Sequence, residues 1–172
     1  MIKKFELLNK SVEKEDVQLM QEEASRIYTD LITNELADLN LSEYTYAPAQ
    51  AVEELGLDEA LINELVADYV SQIIKSLVQF EVKLNNLQKS KNNNETNLDY
   101  TPFRELAHKN LGVARNLRIK NAEILLYEMM KGEDLDYLML CLEALEVSTI
   151  KLNTEVAYNT LKLIEVKDSL KN

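Results

Sequence analysis

From Asp58 onward the chain carries apolar residues at Ile62, Val66, Tyr69, Ile73, Leu77, Phe80, Leu84 and Leu87, in steps of three and four with no glycine or proline between them. That spacing keeps one face of a helix apolar throughout. About thirty residues at about 1.5 Å each make a rod of about 45 Å. An apolar face of that length has to be buried against other helices, because leaving it in water forfeits the main driving force of folding. Leu61, Leu65, Val70, Ile74 and Val78 widen the stripe. Asp58 suits the N-cap of this rod, and the polar run Lys89–Asn97, KSKNNNETN, reads as the loop that follows it.

The rest of the chain supplies partners of the same kind. Its 172 residues contain only three glycines and two prolines, which favours long helices over strands and turns. Residues 12–39 predict an amphipathic helix with Ser11 as N-cap and a stripe of Val17, Met20, Ala24, Ile27 and Leu31. Two surfaces would suit that stripe: the chain's own bundle, or a second copy, giving a homodimer of coiled-coil type. The pattern breaks over Leu39–Tyr46. Pro48 then suits the first turn of a short helix that runs to Leu55 and stops at Gly56. Thr101 and Pro102 fit an N-cap and first helical residue, and the helix they start is expected to end or kink around Leu117–Lys120. A shorter helix through Met130 follows, closed by Gly132. Asp134 caps a last long helix carrying Leu138, Leu142, Leu145, Leu152, Val156, Leu163 and Val166. The expected fold is all-α: an up-down antiparallel four-helix bundle over residues 46–172 with an additional N-terminal helix in residues 1–45.

Net charge narrows the partners. At −11 the chain lacks the broad Lys and Arg surface that phosphate backbones require, which argues against nucleic acid. No apolar run approaches 18 residues, so no membrane span is expected, and Met1-Ile-Lys-Lys-Phe-Glu leads into polar sequence instead of a secretory apolar core. A cytoplasmic protein is the expectation. Cys141, the single cysteine, lies among Leu138, Leu142 and Leu145 at helical spacing and reads as a core residue; one cysteine allows no disulfide within one chain.

The chemistry concentrates in residues 101–120, TPFRELAHKNLGVARNLRIK, around His108, the only histidine. On a helix, Phe103, Leu106, Ala107, Val113, Ala114 and Leu117 share one face and His108 takes the opposite one. Arg104, Gly112 and Arg115 fall within about 40° of the histidine. A core histidine would share the apolar face. A glycine inside a helix costs about 1 kcal/mol relative to alanine, so Gly112, one turn from the imidazole, calls for a reason such as close approach of a partner. Arg104, Lys109, Arg115, Arg118 and Lys120 stand against Glu105 alone, a local excess of four positive charges in an acidic chain. Asn110 points into the middle of the apolar face, where its amide needs hydrogen-bond partners.

These residues resemble the histidine phosphotransfer (HPt) domain of two-component phosphorelays. That family places a histidine on an exposed helix face, often with a lysine at +3, a glycine at +4 and a second glycine near +10. His108 and Gly112 match the first and third features, while Leu111 stands at the lysine position and Arg118 at the second glycine position. Helix order and lengths extend the resemblance over residues 46–172. It implies a four-helix fold and a phosphoryl carrier, not an enzyme, with His108 as acceptor. The implied partner is a response-regulator receiver domain, including one within a hybrid histidine kinase, which brings the Mg²⁺ and most of the catalytic groups, so that this chain needs no cofactor or metal of its own.

Phosphoryl transfer to histidine needs a neutral ring nitrogen, space for in-line approach and positive charge for the incoming oxygens. An imidazole in water, with a pKa of about 6.5, is largely neutral at pH 7. Gly112 would supply the space, and Arg104, Lys109 and Arg115 the charge that Leu111 cannot. The other reading is a degenerate HPt adaptor, a helical bundle that docks a receiver without accepting phosphate. A diiron or other metal bundle would need Glu-x-x-His motifs on two helices, and the single histidine argues against it.

Overall fold

The computed structural model describes residues 14–43 and 46–171. The fold is all-α: α1 (Lys14–Thr33), α2 (Ala49–Leu55), α3 (Glu59–Asn92), α4 (Thr101–Asn116), α5 (Lys120–Lys131), α6 (Leu135–Leu152) and α7 (Thr154–Lys171), with one 3₁₀ turn at Ala37–Leu39.

Helix α6 is the centre. Leu135, Leu138, Cys141, Leu142, Ala144, Leu145, Val147 and Ile150 are buried, and even Glu146 and Thr149 lie inside. A helix apolar on nearly every side belongs in the interior, and α6 packs against α1, α3, α5 and α7. Asp134 starts it as expected, its Oδ1 accepting from the amides of Asp136 and Tyr137 at 3.0 and 3.3 Å.

Helix α3 is the long wall, its 34 residues spanning about 51 Å. Every member of its principal stripe from Ile62 to Leu87 is buried. Of the widening residues, Val70 and Ile74 are buried, whereas Leu61 and Val78 are exposed. Asp58 caps it through the Leu61 amide at 2.8 Å. The helix runs further into the expected loop than the sequence suggests, ending at Asn92 instead of before Lys89. Gln88 bonds Asn92 across one turn at 2.9 Å. Closure comes from Asn94 in the left-handed region (φ 58°), with its amide on the Lys91 carbonyl and the Glu95 amide on the Ser90 carbonyl.

Four further expectations are corrected. The single helix expected over residues 12–39 ends at Thr33, where Thr33 Oγ1 and Asn34 Nδ2 take up the carbonyls of Thr29 and Asp30 at 2.6 and 3.1 Å; its expected N-cap, Ser11, lies outside the described residues. The single helix expected after Asp134 is two. Asn153, with extended backbone (φ −155°, ψ 89°), breaks it and caps α7 through the Val156 amide at 3.1 Å. Leu163 and Val166, expected on an inner stripe, are exposed on α7. Helix α4 begins with Thr101 already helical and Tyr100 at the N-cap position, because Asp99 Oδ1 accepts from the Thr101 amide at 3.0 Å.

Helix α1 turns Met20, Ala24, Tyr28 and Leu31 into the same core as α6 and α7. A chain starting near residue 46 would leave a matching apolar strip of α6 and α7 in water. We predict that this truncation lowers the urea midpoint substantially, by several kcal/mol of stability given about 1.5–3 kcal/mol for each large apolar side chain buried. An unchanged midpoint would mean that α1 only decorates the surface.

Candidate functional site

Helix α4 is fastened on one face and bare on the other. Phe103, Leu106, Ala107, Leu111 and Ala114 are buried, and Phe103 meets Phe80 of α3 edge-on at 5.3 Å. Asn110, fully buried, finds the partners its sequence position demanded: its Nδ2 donates to the Leu106 carbonyl at 2.9 Å and its Oδ1 accepts from Ser76 Oγ of α3 at 3.4 Å. The contacts Phe80–Phe103 and Ser76–Asn110 run in opposite chain directions, so α3 and α4 are antiparallel. Arg104 reaches Glu133 and Arg115 reaches Glu123, which makes α4 and α5 antiparallel as well.

The turn between α4 and α5 is closed by Arg118 in the left-handed region (φ 63°), where glycine is usual. The Ile119 amide bonds the Ala114 carbonyl at 3.0 Å and the Arg118 amide bonds the Arg115 carbonyl at 3.1 Å, the paired bonds of a Schellman closure. The Arg118 guanidinium adds bonds to the Arg115 and Asn116 carbonyls and a short ion pair with Glu54 of α2. That pair pulls the Glu54 carboxyl below its ordinary pKa. The position expected to hold a second glycine therefore keeps the backbone shape with an arginine that caps the helix.

On the open face, His108, Lys109, Gly112 and Arg115 are exposed, and the His108 ring has no hydrogen-bond partner among the described residues. A Cβ built on Gly112 would meet nothing within 4 Å. Thr101, Arg104, Glu105, His108, Lys109 and Met130 line one open depression. The basic strip is less free than its composition suggests. Arg104 Nη2 donates to Glu133 Oε1 at 2.8 Å while its Cζ stacks 5.3 Å from the Tyr100 ring centre. Arg115 and Lys120 approach Glu123 at 3.7 and 3.5 Å, and Arg118 is held by Glu54. Lys109 alone of the five makes no ion pair among the described residues.

Tyr100 adjoins Arg104 as the N-cap residue of α4, whereas Glu123, Met130 and Glu133 reach this face only through the docking of α5 beside α4; none of the four stood out in the sequence. Burial and then the Glu133 carboxylate push the Tyr100 phenol up, against the opposing Arg104 guanidinium. Leu111, at the position where the family often has lysine, is 3% exposed and belongs to the core.

The other chemical candidates are structural. Cys141 is buried and its thiol is pushed up to about 12 by that burial. A half-open pocket of about 40 Å³ lies among Tyr28, Tyr46, Asn121, Ser148, Thr149 and Lys151. Its polar atoms are engaged: Asn121 bonds the Tyr28 hydroxyl and both backbone groups of Ser42, and Tyr46 bonds the Leu117 carbonyl. Among the described residues no group of three or more His, Cys, Asp and Glu side chains converges as a metal site requires, and no helix is long and apolar enough to cross a membrane. No protein-family model, curated protein or solved structure matches the chain.

Two outcomes follow. Gly112→Ala should raise stability by about 0.5–1 kcal/mol, because the added methyl meets open space and glycine is the poorer helix former; a fall in thermal midpoint would show that the notch is needed for the fold itself. Cys141 should resist a thiol reagent in the native protein at pH 8 and react once urea unfolds the chain, whereas rapid labelling of the folded protein would contradict its burial.

Proposed function

We propose that this protein is a phosphoryl carrier of the HPt kind, in which His108 takes a phosphoryl group from a receiver-domain aspartate and passes it to another. One observation carries the reading: the only histidine stands on the solvent side of α4, with a ring that meets no hydrogen-bond partner among the described residues and a glycine one turn away that leaves an open notch. The antiparallel pairs α3/α4 and α4/α5 support an up-down four-helix arrangement for residues 46–172, with α1 as the added helix.

In the transfer, a lone pair on a ring nitrogen of His108 forms the N–P bond as the O–P bond of the aspartyl phosphate breaks. The aspartate leaves as carboxylate and the displaced ring proton goes to solvent. The receiver supplies Mg²⁺ and most of the charge stabilisation. This chain presents the nucleophile, keeps the approach open at Gly112 and offers Arg104, Lys109 and Arg115 as nearby cations. As a relay partner of receivers it would work in the cytoplasm.

A second reading has its own support. Leu111 turns into the core and leaves no cation at the place where the family often has lysine, which fits an adaptor that docks a receiver without accepting phosphate. Incubation with phosphorylated receivers separates the two. Transfer predicts an acid-labile, base-stable label on the wild-type chain and none on His108→Gln, which should fold normally because the ring is exposed. Binding with no label would favour the adaptor. Label persisting on His108→Gln would refute the assignment of the site.

A further inference from the structure

Arg104 and His108 stand one helical turn apart on α4 and line the same open depression. The guanidinium of Arg104 is held by the Tyr100 ring on its face and by Glu133 Oε1 on Nη2, while its Nε–H is buried with no acceptor among the described residues. Nε–H and Nη2–H form one edge of the guanidinium fork, the edge that grips a carboxylate or phosphoryl group through two parallel hydrogen bonds. Glu133 occupies half of it. Its side chain reaches in from the turn between α5 and α6 and is 71% exposed, so water can replace its contact at little cost.

We propose that Glu133 is a latch on Arg104, holding the guanidinium beside His108 until a phosphoryl group on the ring takes over the Nε/Nη2 edge. The inference rests on the reading of His108 as phosphoryl acceptor and adds a positioning residue and a competition to it. A phosphoryl group has three terminal oxygens and can satisfy both donors, including the one now without an acceptor, whereas Glu133 satisfies one. On release Glu133 turns into solvent, and the Tyr100 ring keeps the guanidinium plane in place. Arg104 thus becomes the cation that stands in for the lysine absent at Leu111. Arg115 is engaged by Glu123 across 3.7 Å, and Lys109 offers a point charge without a two-donor edge.

Phosphoramidate tests this without a receiver. A His108 ring nitrogen forms the N–P bond, the P–N bond of the donor breaks, and ammonia leaves, taking up the displaced ring proton as ammonium. Initial labelling rates are compared for the full-length wild type, Glu133→Gln, Arg104→Gln, Arg104→Lys and the Glu133→Gln/Arg104→Gln double variant, each checked for fold by circular dichroism. Removing the anionic hold on the edge in Glu133→Gln should speed labelling about two- to fivefold, the factor equivalent to one surface ion pair. Arg104→Gln should slow it, and Arg104→Lys should recover only part of the loss. In the Arg104→Gln background Glu133→Gln should have no effect. An equal acceleration in both backgrounds would mean that Glu133 acts only through its charge, and would overturn the latch. So would a wild-type chain that phosphoramidate fails to label at His108, or rates indifferent to both residues. Failure of every phosphorylated receiver to label the wild type would count against the phosphorelay reading and leave these comparisons standing.

Discussion

Helix α6 has almost no solvent face, and the rest of the structure follows from the need to cover it. Leu138, Cys141, Leu142, Leu145 and Ile150 can leave water only if several helices surround them, and α1, α3, α5 and α7 do so. Helix α4 is left outside that coat. It touches α3 and α5 along one face, so its other face carries no packing duty. A histidine there can be presented without disturbing the core. The separation is physical as well as descriptive: Asn110 and Ser76 pin the inner face with a buried hydrogen bond, while His108, two residues before Asn110, meets no hydrogen-bonding partner among the described residues.

Charge on the open face is arranged in pairs. Arg104 with Glu133, Arg115 with Glu123 and Arg118 with Glu54 each join α4 or its closing turn to a neighbouring helix or turn. Pairs at the surface, each with at least one partner open to solvent, contribute about 1 kcal/mol or less, so they orient side chains more than they stabilise the fold, and they can exchange partners. Arg118 is the structural member, closing the helix and linking α2. Arg104 is the member with a buried donor that finds no acceptor among the described residues, next to the histidine.

Much of this was legible in local sequence. The caps at Asp58 and Asp134, the buried stripe of α3, the split between the apolar and histidine faces of α4, and the core position of Cys141 all depend on side chains and backbone within a few residues, where helix periodicity governs. The break at Asn153 was masked by Leu152 and Val156, which continue an apolar spacing across it. Its signal was present as Asn153-Thr154-Glu155, a capping residue followed by an acid in the first turn. Partners distant in the chain were not legible. The Ser76–Asn110 bond spans 34 residues and the Arg104–Glu133 pair 29, and neither leaves a local trace. Arg118 shows the limit from the other side: the left-handed backbone that glycine would have signalled is there, held by hydrogen bonds instead of by residue type.

The surface proposed to meet a receiver domain is the bare face of α4. Amide chemical-shift mapping of the ¹⁵N-labelled full chain, titrated with unphosphorylated receiver domains in the presence of Mg²⁺, tests it most directly. Shifts are expected to centre on Arg104, His108, Lys109, Gly112 and Arg115 and on the adjoining edge of α5, with α1 and α6 unaffected. Shifts centred on α7 or α1, or no shifts with any receiver, would contradict it.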